Sequence, residues 1–273
     1  MTAPVPDTRF SAAFAARIPG ATPGLIPYFT AGYPRLDSLA ELLLCAQRTG
    51  SIAAEVGIPF SDPLADGPTI QRTGQVALGN GMTLALALDQ VRDARARGVT
   101  IPLAVMTYVN PVLSFGLEEF ARTASAAGID GAIFPDLPLD EAKDVREAMH
   151  AAGVAVIPLV APTTTADRLA RICSTGAGFV YCVGVTGVTG ARRTVAGEAI
   201  ALLDRVRNVT PLPRALGFGL SNHEHLEALR GHAEAAVVGS ALLDRIGEDP
   251  DNPVAAAEAF LTAMIGEEAA RAG

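Results

Sequence analysis

Eight short apolar runs alternate with alanine- and leucine-rich segments of helical spacing along the 273 residues of this chain. The runs are GLIPYFT (24–30), IAAEVG (52–57), IPLAVMT (101–107), IDGAIF (129–134), VAVIPLV (154–160), GFVYCVG (178–184), PRALGF (213–218) and AAVVG (235–239). Between them, LDSLAELLLCAQRTG (36–50), TLALALDQVRDARARG (83–98) and LDEAKDVREAMHAAG (139–153) carry helical periodicity and end on glycine, a helix C-terminus signal. Strand and helix in strict alternation mean repeated βα units and a parallel sheet. An open doubly wound sheet normally follows its first strand with a glycine-rich dinucleotide loop, whereas here the first run leads into AGYPRLD. The expected architecture is therefore α/β, a (β/α)8 TIM barrel with an extra N-terminal helix. No Pro/Gly/Ser-rich linker interrupts the series, so residues 1–273 are expected to form one domain.

A barrel keeps its chemistry at the C-terminal ends of the strands and in the loops after them. Composition narrows what that chemistry is. The formal charge is −8, 21 basic against 29 acidic residues, with no basic run, which gives nucleic acid or an anionic membrane surface no electrostatic footing. Cys45, Cys173 and Cys182 are an odd set without a CxxC pair, in apolar or helical surroundings, and read as reduced, buried thiols. With no signal-peptide pattern and no long uninterrupted apolar stretch, the expected location is cytoplasmic.

In the second run, alternation puts Ile52, Ala54 and Val56 on one face and Ala53 and Glu55 on the other. The bulky face should meet the helices, leaving Glu55 pointing into the barrel mouth, where desolvation raises a carboxyl's pKa into the range useful for proton transfer. The alternative is pairing with a structural arginine. The segment that follows, IPFSDPLADGPTIQ, is a long βα loop with Asp62 and Asp66. Asp66 stands before Gly67 and Pro68, so it either caps the next helix or serves the chemistry.

Three glycine-rich segments, VTGVTGARR, GFGLSN and VVGSA, follow the last three runs. Each offers backbone N–H groups beside a helix start, where a phosphate binds, although tight strand-to-helix turns need glycine too. The single lysine, Lys143, lies in a helical segment, which leaves no amine for a Schiff base at a strand end. The four histidines, His150, His223, His225 and His232, lack a ligand pattern and read as solvent-facing helix residues rather than a metal site. What remains is general acid–base catalysis by carboxylates on a substrate held through its phosphate.

The segment EVGIPFSDPLADGPTIQ resembles the signature of tryptophan synthase alpha subunits, and LIPYFTAGYP, MTYVNPVLSFG, GAIFPDLP, GVTGAR, GFGLS and VVGSA resemble further segments of that family. The resemblance covers nearly the whole chain. It implies a lyase that splits indole-3-glycerol phosphate into indole and glyceraldehyde 3-phosphate, in tryptophan biosynthesis, with no cofactor in this chain. It also implies a beta-subunit partner that carries pyridoxal phosphate, in an alpha2-beta2 tetramer. Glu55 and Asp66 fall on the family's catalytic positions and Tyr181 on the tyrosine that supports the substrate. Thr189 belongs to the loop motif from Gly187 to Gly190. Gly190, Gly219, Gly239 and Ser240, with Phe218 beside them, fall on the phosphate-binding positions. Tyr108 and Asn110 sit near the partner interface, and Asp62 and Pro63 are placed at the partner contact, although an aspartate before proline also opens turns.

Three positions depart from the family pattern. GVTG occurs in two overlapping registers, a serine common three residues after the tyrosine is Gly184, and an aspartate frequent at the start of strand two is Ile52. The resemblance implies a retro-aldol cleavage in which Glu55 donates a proton to C3 of the indole ring and then takes one from the side-chain hydroxyl. Ionised Asp66 stabilises the charge that develops on the ring, so a buried strand end for Glu55 and a wetter loop for Asp66 should hold the two in different protonation states. The rival readings are a stand-alone lyase of the same barrel family and a non-catalytic barrel that activates a beta-type partner.

Overall fold

The computed structural model describes residues 6–17, 20–184, 192–217 and 219–266. Its strands are β1 (Gly24–Thr30), β2 (Ala54–Gly57), β3 (Leu103–Met106), β4 (Gly131–Ile133), β5 (Ala155–Val156), β6 (Leu159–Val160), β7 (Val180–Val183), β8 (Arg214–Gly217) and β9 (Ala235–Val238). All pair in parallel in the order β5-β4-β3-β2-β1-β9-β8-β7-β6. The two ends of that order are halves of one strand, the fifth apolar run. Proline has no N–H to give a ladder, and Pro158 divides the run. Just before the division Ile157 N–H donates to the Ala132 carbonyl at 2.9 Å, and just after it the Pro158 carbonyl accepts from Tyr181 N–H at 2.9 Å. One half thus bonds to β4 and the other to β7, and the sheet closes into an eight-stranded barrel.

The helices are α1 (Arg9–Ala15), α2 (Leu39–Arg48), α3 (Pro68–Gly79), α4 (Leu84–Ala96), α5 (Val109–Phe115), α6 (Leu117–Ala127), α7 (Lys143–Ala151), α8 (Ala166–Thr175), α9 (Arg192–Arg207), α10 (His223–Glu227), α11 (Ser240–Glu248) and α12 (Pro253–Ile265). Gly50, Gly98 and Gly153, which close the helical segments read from the sequence, have φ of +84°, +102° and +80°. A left-handed residue there costs glycine little and any other residue more.

The core divides into two apolar clusters. The larger lies between strands and helices and takes the outward residues, Ala54 and Val56 of β2 among them. The smaller fills the barrel itself with Ile26, Ala53, Ala104, Ile133, Ile157, Phe179 and Val237. Phe10 and Phe14 of α1 join it, with ring centroids 5.3 Å and 5.6 Å from Phe179. The extra N-terminal helix is therefore a plug for the end of the barrel opposite the mouth. Asp130, nearly buried, pins it by pairing with Arg9 at 2.8 Å and Arg95 at 2.8 Å while accepting from Leu103 N–H at 2.9 Å.

Two readings need correction here. Ile52 packs against the interior cluster and onto Gly24, not outward with Ala54 and Val56, because β2 begins only at Ala54 and strand alternation does not reach back to it. Its N–H donates to the Leu25 carbonyl at 3.0 Å, so the strand entry is anchored through the backbone. His150 is buried rather than solvent-facing, and its Nε2 accepts from Val156 N–H at 3.3 Å.

Candidate active site

Glu55 stands in β2 opposite Tyr28 of β1 and Ala104 of β3. It is fully buried, and neither carboxyl oxygen has a hydrogen-bond partner among the described residues. No arginine among the described residues pairs with it, which disfavours the structural-pair alternative. Burial in this environment penalises the charged form and pushes its pKa up to about 8, which leaves the carboxyl protonated at neutral pH.

Asp66 is set by the loop between β2 and α3. The N-cap of α3 is Gly67, and the helix start has no side-chain cap, so the capping role considered for Asp66 is not the one it plays. Its N–H donates to the Pro63 carbonyl at 3.1 Å, and its carbonyl accepts from Gln71 Nε2 at 2.9 Å, which fixes the backbone and frees the carboxylate. The Tyr108 hydroxyl accepts from Ala65 N–H at 3.0 Å, which sets it beside the Asp66 carboxyl. Phe60 packs on the same ring, centroids 5.3 Å apart. Desolvation pushes Asp66 up to about 6, with the neighbouring Tyr108 hydroxyl acting in the opposite direction. The loop is thus drier than the sequence suggested, but the ordering of the two carboxyls is the expected one.

Two tyrosines, Tyr28 buried and Tyr181 half-buried, face both acids. Burial raises the Tyr181 hydroxyl pKa first of all, then the charges of Glu55, Tyr28 and Asp66 raise it further. Tyr28 is raised by burial, Asp66 and Glu55, against a hydrogen bond from Thr30. These four groups therefore share one electrostatic volume. Gly57 and Gly217 make room for it, because a side chain at either would overlap the Tyr28 or Tyr181 hydroxyl respectively. Tyr28 was missed from sequence, although alternation in the first run puts it inward with Ile26.

Above this layer a cavity of about 740 Å³ opens at the C-terminal strand ends. Its wall includes Asp66, Ile70, Met106, Leu159, Arg168, Tyr181 and Gly217. Of the three helix starts expected to receive a phosphate, that of α10 is already occupied: Asn222 Oδ1 accepts from His225 N–H at 2.9 Å. That of α11 follows β9 directly with Gly239 as N-cap and has no side-chain cap. Leu243 N–H takes the Gly239 carbonyl at 2.9 Å, so the N–H groups of Ser240, Ala241 and Leu242 have no carbonyl within the helix to bond. Gly219 ends the β8 turn at φ +22°, exposed. Thr189, Gly190 and Phe218 lie outside the described residues.

Four residues were expected at or near the partner contact: Asp62, Pro63, Tyr108 and Asn110. Asp62 and Asn110 are exposed, and Pro63 is half-buried. Tyr108 is buried beneath the loop instead, with little surface to offer a partner. Leu64, 95% exposed, and Leu113, 57% exposed, give this rim an apolar character. Among the described residues no cluster of His, Cys, Asp and Glu fits a metal ion, the three cysteines are free and buried, and no helix is long and apolar enough to cross a membrane.

The family model for the tryptophan synthase alpha chain matches residues 14–271. A tryptophan synthase alpha chain from Chloroflexus aurantiacus is 45% identical over 242 residues, covering 88% of this chain and 91% of that one. The structure is similar to one from the tryptophan synthase a2b2 complex of Pyrococcus furiosus, with TM-score 0.85, 38% identity and coverage of 91% of this chain and 98% of that one. It is equally similar to a Mycobacterium tuberculosis tryptophan synthase structure, with TM-score 0.85, 33% identity and coverage of 97% and 99%. A closed parallel barrel, two carboxyls of unlike protonation at its mouth and this likeness along almost the full length agree: the chain belongs to the tryptophan synthase alpha chain family.

Proposed function

We propose that this chain is a carbon–carbon lyase that cleaves indole-3-glycerol phosphate into indole and glyceraldehyde 3-phosphate. The observation that carries the reading is the pair of carboxyls on one site, Glu55 at about 8 and Asp66 at about 6. At neutral pH the first holds a proton to give and the second holds a charge, as a retro-aldol on an indole requires. Glu55 donates its proton to C3 of the ring, and positive charge develops on the ring nitrogen, where ionised Asp66 accepts the N–H hydrogen bond. The Glu55 carboxylate then takes the proton of the hydroxyl next to the ring. The bond from that carbon to C3 breaks, the aldehyde forms, and Glu55 is protonated again.

Tyr28 and Tyr181 shape the pocket for the ring. The phosphate lies on the open start of α11, at Gly239 and Ser240, with Gly219 from the β8 turn, and the family resemblance gives Thr189, Gly190 and Phe218 a part in the same binding. The reaction needs no cofactor in this chain, and residues 1–273 act as one domain in the cytoplasm. Indole passes to a beta subunit that carries pyridoxal phosphate, within an alpha2-beta2 assembly. The apolar rim of Leu64 and Leu113 beside Asp62, Pro63 and Asn110 favours this over a stand-alone lyase. Retention of both acids argues against a purely regulatory barrel.

The deciding experiment is indole release from indole-3-glycerol phosphate, measured with and without purified beta subunit for the wild type, Glu55→Gln and Asp66→Asn. Cleavage by the wild type that both substitutions abolish is the expected result. No release under either condition would overturn the reading.

A further inference from the structure

The barrel has a second polar cavity, at the end remote from the carboxylates. Its volume is about 430 Å³, and Phe14, Arg17, Thr22, Arg207, Arg214 and Glu234 are in its wall. Three guanidinium groups face one carboxylate there, in a chain whose formal charge is −8. This is positive charge concentrated where the molecule as a whole is acidic.

The arginines are incompletely paired. Arg214 opens β8 with its side chain only 8% exposed. Its Nε donates to Glu234 Oε2 at 2.9 Å, its backbone N–H donates to the same oxygen at 2.8 Å, and Nη2 takes Oε1. The third nitrogen, Nη1, is buried without a partner among the described residues, and a buried charged donor left unbonded is costly. Arg17 donates from Nη2 to the Thr22 carbonyl, a neutral acceptor, while burial lowers its pKa, as befits a cation short of countercharge. Arg207 spends Nη2 on the Gly231 carbonyl, and Asp204 lies 3.9 Å from its Nη1. The barrel end held by Arg214 is not the mouth, since Gly217, at the other end of the same strand, lines the upper cavity.

We propose that this lower cavity is a binding site for a small dianionic oxyanion, phosphate or a phosphate monoester, held by Arg17, Arg207 and the free Nη1 of Arg214. Beyond the Arg214–Glu234 pair the cavity adds Arg17, with no carboxylate partner among the described residues, and Arg207, whose Nη1 has Asp204 only at 3.9 Å, so the wall carries a positive excess suited to an anionic ligand. Guanidinium groups present paired N–H donors to the oxygens of phosphate, and these charge-assisted bonds are stronger than neutral ones. Binding would tie the end of α1 to α9 and β8, so the ligand stabilises the plugged end of the barrel.

Because the functional reading puts another phosphate at α11, the test must separate the two sites. Inorganic phosphate is titrated by calorimetry into the full chain at low ionic strength, as wild type, Gly239→Asp, and Gly239→Asp combined with either Arg207→Gln or Arg17→Gln. Circular dichroism confirms that each variant is folded. The Gly239→Asp chain should still bind phosphate, and its Kd should rise about 10-fold or more on losing either arginine's charged contacts. Phosphate should also raise the Tm of Gly239→Asp more than that of the double variants. A Gly239→Asp chain that binds no phosphate overturns the proposal, and so does an affinity indifferent to both arginines. If wild type and Gly239→Asp bind alike and the arginine substitutions abolish the signal, the lower site stands and the assignment at α11 fails.

Discussion

On the proposed function, Glu55 ties catalysis and stability to the same proton. Its carboxyl titrates at about 8 in the folded chain and near the ordinary 4.5 when unfolded. The folded state therefore holds a proton that the unfolded state gives up. This contribution is fully present below the unfolded value and is lost as pH rises through the folded one. Between about pH 5 and 8 it costs stability at up to about 1.4 kcal/mol per pH unit. Glu55→Gln should remove that slope, so denaturant melts at pH 9 should find the variant more stable than the wild type while cleavage falls by roughly 100- to 10,000-fold. The wild-type kcat/KM should trace a bell, rising near pH 6 as Asp66 ionises and falling near pH 8 as Glu55 loses its proton. A profile flat from pH 5 to 9 would refute both assignments.

At the level of elements, the β2–α3 loop is held by one residue from another strand's end. Tyr108 both accepts from Ala65 N–H and lowers the Asp66 pKa against desolvation. Tyr108→Phe should therefore slow cleavage, by about 10-fold if one hydrogen bond to a charged group is lost, and move the acidic limb above pH 6 while the basic limb stays. An unmoved acidic limb would show that the hydroxyl does not act on Asp66. This link was not legible in the sequence, where Tyr108 reads as a rim residue, because the contact spans 43 positions. What could be read were local patterns: β1 occupies the same residues as the first apolar run, and the glycines at 50, 98 and 153 close helices as their spacing says. Pro158 marks a divided strand and Asn222 before HEH marks a capped helix, two local signals of a different kind from the apolar runs and glycine spacing from which the elements were read. The drier surroundings of Asp66 depend on tertiary packing of Phe60 and Tyr108, which no local pattern encodes.

The whole molecule has one closed end and one open end. The closed end rests on α1, and Phe10→Ala, which deletes a fully buried ring against Phe179, should cost about 3–5 kcal/mol in chemical denaturation. A loss below 1 kcal/mol would mean that the plug is not part of the cooperative core. The open end must meet whatever receives the indole, and its rim combines the exposed carboxylate of Asp62 with the bare side chains of Leu64 and Leu113. Asp62 lies four residues before Asp66 on a loop whose backbone is tied by the Pro63 carbonyl and Gln71. A basic residue on the partner that paired with Asp62 would pull on the segment that positions Asp66, so binding would favour the active arrangement through its differential contacts with the two loop states. The carboxylate of Asp62 holds no strand or helix in place; among the described residues its side-chain bond is to neighbouring Ser61. Asp62→Ala should accordingly leave the slow cleavage by the isolated chain unchanged and sharply reduce its stimulation by added beta subunit, as read from indole release against beta concentration. If stimulation persists in full, Asp62 carries no coupling. If basal cleavage falls as well, the residue serves the turn before Pro63 instead.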